Sequence, residues 1–289
     1  MEQENRKLPA EASGGSVDVL IVLVLGVLLA SVYAPLVLWL GRTTISLEQL
    51  HNGGLIVLFA LLISLRNAIR ARAFRPEGNT LGVALIVVGL GGLYLVRWLP
   101  AFALPVALLS FCLSFAGLSA FLFGTVGVRA LLPAISGILI LGILAGVAPW
   151  LDWTLRAIGA KYSAYFLDYL GMDVGVALRQ GVPPQLLLAV KDRLFVVAAE
   201  CNGFGLVSSS FLVAAILGFH YHLSWFAKIG LLALALPLAI LFNAFRIVGI
   251  CLAATHLPLP YVVIHEGIGL VFYAAALVLL WWLASRRAG

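Results

Sequence analysis

Charge is scarce in this chain. Asp, Glu, Lys and Arg make up 10% of its 289 residues, where a soluble globular domain carries about 25%, so water cannot be the solvent for most of its surface. Cysteine is scarcer still. Only Cys112, Cys201 and Cys251 occur, which excludes a disulfide framework and leaves each thiol to be judged alone. The net charge of +6 is not gathered on an aromatic-interleaved face, which excludes nucleic acid as a partner. Internal repeats, low-complexity tracts and a soluble second domain are missing as well, so residues 1–289 read as a single integral membrane domain.

What the chain has instead is apolar sequence, 63% of its residues. It falls into runs near Val17–Leu40, Leu47–Leu65, Thr80–Val96, Ala101–Phe123, Ala130–Leu151, Phe204–Phe219, Ile229–Phe245 and Glu266–Ala284. A helix crosses a hydrocarbon core of about 30 Å in roughly 20 residues, so the expected fold is an all-α polytopic membrane protein of about eight spans. Met1–Ser16 is polar and Pro35 follows a faint signal-peptidase-like site ending at Ala34; the apolar run continues beyond it, which favours a retained first helix. Arg6 and Lys7 before the first run, Arg66, Arg70, Arg72 and Arg75 after the second, and Arg286 and Arg287 after the last belong in the cytoplasm by the positive-inside rule. That places both termini inside, and 41–46, 97–100, 152–203 and 246–265 outside.

The long outer segment, 152–200, has a soluble pattern. Leu155, Ile158, Tyr162, Tyr165, Phe166 and Tyr169 recur at helical spacing before Gly171, which predicts a short amphipathic helix lying on the membrane. Val174–Leu178, Leu186–Val190 and Leu194–Ala198 are candidates for small strands, separated by Gly181-Val182-Pro183-Pro184 and Lys191-Asp192-Arg193.

This topology returns three distant polar groups to one face: Cys201 before the sixth helix, Arg246 after the seventh and His265 at the start of the eighth. A thiolate is a nucleophile whose pKa a nearby cation lowers. An arginine is charged at every relevant pH and can hold a thiolate or an oxyanion. A histidine can hand a proton to a leaving amine. Each residue also has a plain explanation: a thiol at a helix end as packing, an arginine snorkelling, an interfacial histidine as a cap. His256 shares the outer segment with His265, and residue chemistry does not choose between them. Cys112 in mid-helix reads as packing, Cys251 as packing or a spare thiol. His220 and His222 fall on the cytoplasmic side and receive no site.

Glu200-Cys201-Asn202-Gly203 opening one helix, Asn243-Ala244-Phe245-Arg246-Ile247 ending the next and His265-Glu266-Gly267-Ile268-Gly269 starting the last resemble the exosortase/archaeosortase family, most sharply over Tyr162–Phe272. The resemblance implies a membrane cysteine peptidase or transpeptidase working through a thioacyl intermediate on exported proteins with a C-terminal sorting signal: a short motif, a hydrophobic helix and a basic tail. It implies Cys201 as nucleophile, Arg246 as stabilising cation and His265 as general acid/base, with Asn202, Gly203 and Asn243 supporting them. Ser is the more usual residue where this chain has Asn202, which bears on the recognised motif. Membrane lipids are the other expected partners, and no cofactor or metal is expected. The rival classes are a transporter or channel, whose paired half-helices and repeat symmetry are missing here, and an inactive membrane assembly factor.

Overall fold

The computed structural model describes residues 14–70, 79–181, 184–191, 193–197 and 202–287. Among the expectations above, those on Arg6, Lys7, Arg72, Arg75, Val182, Pro183, Asp192, Ala198, Glu200 and Cys201 lie outside the described residues. The described elements are α1 (Gly14–Val32), α2 (Ala34–Ser46), α3 (Glu48–Arg70), α4 (Thr80–Leu95), a 3-10 turn (Pro100–Phe102), α5 (Ala103–Tyr169), β1 (Val174–Arg179), β2 (Gln185–Val190), β3 (Arg193–Val196), α6 (Phe204–His220), α7 (Trp225–His256) and α8 (Tyr261–Arg286).

Each apolar run lies on helix, with α5 holding two of them and α4 and α6 being shorter apolar helices. Four helices among the described residues are long and apolar enough to span, or five if the bent pair at the start is one span. The first expected span bends by 85° between Leu23–Val32 and Ala34–Ser46. Pro35 at the start of α2 explains it, since proline cannot donate to the preceding turn and its ring collides with the carbonyl four residues back. The elbow is pinned by Tyr33, whose hydroxyl lies 2.8 Å from Ser114 Oγ and whose ring meets Phe111 edge-on.

α5 is too long for any bilayer and is two helices in space. Gly124, at φ 63° and ψ −163°, interrupts the helical backbone in a region that essentially only glycine enters. The chain turns back there: a Cβ on Gly142 would lie 2.3 Å from Leu108, and one on Gly146 would lie 2.7 Å from Leu104. The first arm, 103–123, carries α4 on its other side, backbone against backbone at Gly82, Gly89 and Gly117; small residues let helices approach this closely in lipid. The second arm, 125–169, runs about 65–70 Å at 1.5 Å per residue, twice the hydrocarbon thickness. The expected surface helix is therefore no separate element but the far end of this arm. It closes on Gly171 at φ 77°, with Met172 N–H donating to Leu167 C=O at 3.1 Å and Gly171 N–H to Asp168 C=O at 2.8 Å, the glycine-capped helix end that leaves fewest orphan carbonyls.

The strands form where expected, as an antiparallel sheet of order β1-β2-β3. One face, Leu186, Leu188 and Val190, is buried against Ala160 and Leu167 of α5 and Ile247, Val248 and Cys251 of α7. This is the physical reason that α7 does not stop at Arg246: its apolar run ends where lipid ends, while the helix continues ten residues under the sheet to His256. The segment 246–265 is thus mostly helical, and Cys251, 1% exposed, is packing in that small core. α8 likewise begins at Tyr261 behind Pro260, so His265 sits inside its second turn. α6, the helix after Cys201, lies at the centre between α3, α5, α7 and α8, its Ser208, Ser209 and Ser210 fully buried.

Candidate functional site

The starts of α3, α6 and α8 meet the second arm of α5 and the body of α7 at one end of the bundle. Arg66, Arg70, Arg129, Lys228, Arg286 and Arg287 belong to helix ends and turns at the other. Exposed aromatics mark two levels: Trp98, Phe102 and Trp150 at the first end, Trp225, Phe226, Trp281 and Trp282 at the second, as interfacial belts do. Along α7, Trp225 and Arg246 are about 32 Å apart; along α8, Trp282 and His265 are about 26 Å apart. Arg246 and His265 therefore sit one bilayer core away from the opposite belt.

A cleft of about 390 Å³ opens at this level, lined by Glu48, Gln49 and Asn52 of α3, Gly203, Gly205 and Leu206, Arg246 of α7, and His265, Glu266 and Tyr273 of α8. Arg246 Nη2 lies 3.3 Å from His265 Nε2. A guanidinium has only donors, so Nε2 accepts and the ring proton is on Nδ1, which faces Glu266 Oε1 at 3.3 Å. The Arg246 fork lies on Gly269, where a Cβ would stand 3.2 Å from Nε. The glycine four residues after His265 is what admits the guanidinium to the face of α8. Tyr273, two turns deeper, donates to Ser209 Oγ at 2.5 Å and meets Asn52, giving the cleft a polar floor.

Cys201 itself lies outside the described residues, and the two residues after it are held tightly. Asn202, 2% exposed, donates from Nδ2 to Gln49 Oε1 at 3.1 Å and to Asp152 Oδ1. Its Oδ1 accepts the Phe204 N–H at 2.7 Å, an Asx turn across Gly203 that caps the first amide of α6. Asp152 in turn is gripped by the Arg156 guanidinium one turn on, Nε to Oδ1 at 3.2 Å. Gly203 has φ 80°, and a Cβ there would be 2.6 Å from Asn243 Cγ. Asn243 sits between Gly203 and Gly159, one turn before Arg246.

The structure thus brings Asn202, Gly203, Asn243, Arg246 and His265 to one locus. It leaves His256 apart: ten residues beyond Arg246, about 15 Å along α7, its Nδ1 is 2.9 Å from Leu252 O on the exposed helix end. Cys112 is buried in the first arm of α5, its Sγ 4.0 Å from Ile135 O. Sequence reasoning assigned no role to Gln49, Asn52, Asp152, Arg156 or Tyr273. The available signal was Glu48-Gln49 and Asn52 opening an otherwise apolar span, and an Asp-Arg pair four apart just after Trp150.

Compared with known proteins, residues 44–282 match a family model described as Transmembrane exosortase. No curated protein and no solved structure matches the chain.

Proposed function

This chain belongs to the transmembrane exosortase family, and from that premise we propose that it is a cysteine transpeptidase with Cys201 as nucleophile, Arg246 as stabilising cation and His265 as proton carrier. It is an integral membrane protein, and the family acts on exported proteins that carry C-terminal sorting signals. The observation that carries the residue roles is the Arg246–His265 contact at 3.3 Å in a cleft that Gly203, two residues from Cys201, also lines.

In the proposed reaction the Cys201 thiol passes its proton to His265 Nε2 and the thiolate attacks the substrate carbonyl carbon. Arg246 holds the charge that moves from sulfur to oxygen. The tetrahedral intermediate collapses to a thioester as the C–N bond breaks, and the departing amine takes its proton from His265. An acceptor nucleophile then attacks the thioester, gives its proton to His265 and releases the Cys201 thiolate. The imidazolium can no longer accept from Arg246, so the Arg–His contact opens when His265 is charged and closes when it is neutral. Glu266 Oε1, 3.3 Å away, accepts the hydrogen bond of Nδ1 and orients the ring. Asn202, Gly203 and Asn243 support these groups, Asn202 by fixing the start of α6 and Asn243, one turn before Arg246 on α7, by packing between Gly203 and Gly159.

The cations at the end opposite the cleft favour an orientation with that end in the cytoplasm of the inner membrane, both termini inside and the chemistry on the outer face. The test uses an exported reporter ending in a tripartite sorting tail, expressed with the enzyme. Wild type yields a shortened reporter; Cys201→Ala should abolish shortening, and Cys201→Ala processing the reporter at the wild-type rate would sink the thiol mechanism.

A further inference from the structure

β3 leads by chain continuity to the candidate nucleophile: Cys201 is five positions beyond Val196, a reach of at most about 18 Å. Among the described residues its pairing leaves one edge without a partner strand. Val197 N–H donates to Leu186 C=O at 2.8 Å, and the register Leu188↔Phe195 and Val190↔Arg193 continues that ladder. In an antiparallel pair, alternate residues turn both backbone groups toward the partner. Phe195 and Arg193 therefore face β2, while Leu194 and Val196 turn their N–H and C=O away from it. Among the described residues neither is met by another strand, and their side chains are 69% and 46% exposed.

This edge is not generic surface. Val196 and Val197 form one wall of a small groove whose other wall includes Ile250 of α7 and Tyr261 of α8. Tyr261 stands one turn before His265, with ring centroids 5.8 Å apart. The open edge, the groove and the proton carrier thus follow one another toward the cleft. The remaining edge, on β1, turns outward at Val174, Val176 and Leu178 and lies beyond β2, about 10 Å from β3, packed beside the end of α5. Nothing connects it to the cleft.

We infer that the open edge of β3 is the docking rail of the enzyme: an extended segment of the protein substrate, next to the bond to be cleaved, adds to the sheet as a fourth strand through the backbone of Leu194 and Val196. Main-chain pairing supplies affinity without reading sequence, and the side chains of the added strand alternate between the two faces of the sheet, one toward α7 and α8 and the other out to solvent. The short length of β3 limits competing edge-to-edge association. This inference rests on the peptidase reading above.

The rail is tested on the full-length enzyme in membranes, with the reporter that wild type shortens. Val196→Pro removes an outward N–H and no ladder bond. It should lower the processing rate by up to about tenfold, the upper end of the net worth of one backbone hydrogen bond, while iodoacetamide labels Cys201 at the wild-type rate and the melting temperature holds. Wild-type processing by the folded variant overturns the rail. So does a change in oligomeric size at unchanged processing, which would assign the edge to a second copy of this chain. Where the variant fails to fold, the decision passes to wild-type enzyme and synthetic peptides spanning the reporter cleavage site, each N-methylated at one amide. Pairing predicts loss of inhibition at every second amide, and uniform tolerance overturns it. Failure of the parent reading shows separately, as processing by Cys201→Ala.

Discussion

Asn202 uses both ends of its amide, the N–H side on Gln49 and Asp152 and the oxygen on the first turn of α6. Substituting Ser at this position keeps an oxygen for the cap and gives up the reach to the other two helices. Asn202→Ser should therefore cost about 1–2 kcal/mol of stability and leave measurable processing. Asn202→Asp keeps the shape but sets a second carboxylate against Asp152 in a buried place, and should cost about 3 kcal/mol or more; thermal unfolding in detergent separates the two, and equal losses would contradict the hydrogen-bond account. His265→Ala should reduce processing by about a hundredfold or more, His256→Ala hardly at all, because only the former lies in reach of Arg246. An essential His256 with a dispensable His265 would mean the last motif is wrongly read. Arg246→Lys discriminates further: lysine keeps the charge and loses the planar fork that lies on Gly269, so retained activity points to a cation acting on the thiol, and complete loss to one that holds an oxyanion in fixed geometry. Of this locus, helix counting returns Arg246 and the outer histidines to one depth, while the choice of His265 over His256 comes from the His-x-x-x-Gly resemblance. Gln49 and Asp152 were not legible, since nothing in one sequence says which neighbour a polar residue at a helix end will face.

Two glycines test the architecture at the level of elements. Gly124 turns the α5 hairpin through a backbone conformation closed to other residues, yet nothing lies within 4 Å of where its Cβ would be. Ala, Ser and Leu there should all cost the same, about 1–3 kcal/mol of backbone strain. At Gly82 a Cβ would stand 2.7 Å from Phe121 N and 2.9 Å from Gly117 O, main-chain atoms that cannot move aside. The same three substitutions there should cost progressively more, and a flat series would mean α4 and α5 are not in backbone contact. The apolar runs and strands were legible because hydropathy and alternation report burial or lipid directly. The helix ends were not. Hydropathy marks where lipid stops, and α5 and α7 run past that boundary because Ala160, Leu167, Ile247 and Cys251 find a second, water-side core under the sheet. The bend at Tyr33 was written in Pro35, but an apolar residue on each side concealed it as one continuous run.

For the molecule as a whole, the segregation of Arg66, Arg70, Arg129, Arg286 and Arg287 from the cleft fixes an expected orientation: a reporter fused after Arg75 should read cytoplasmic and one inserted at Gly181 should read the outer side. Both on one side would separate the sheet from the face to which the bundle delivers Arg246 and His265. The core beneath that sheet also imposes an order on biogenesis. Its strands leave the ribosome about fifty residues ahead of Ile247, Val248 and Cys251, a delay of several seconds at about 5–20 residues per second. During that interval Leu186, Leu188 and Val190 have no α7 to cover them, and that cover arrives only after α6 and α7 have both been inserted. With the sheet on the outer face, as the proposed orientation has it, its export precedes its folding, and the nascent strands depend on the insertion machinery, a chaperone or the bilayer surface to shield them until the seventh helix is threaded.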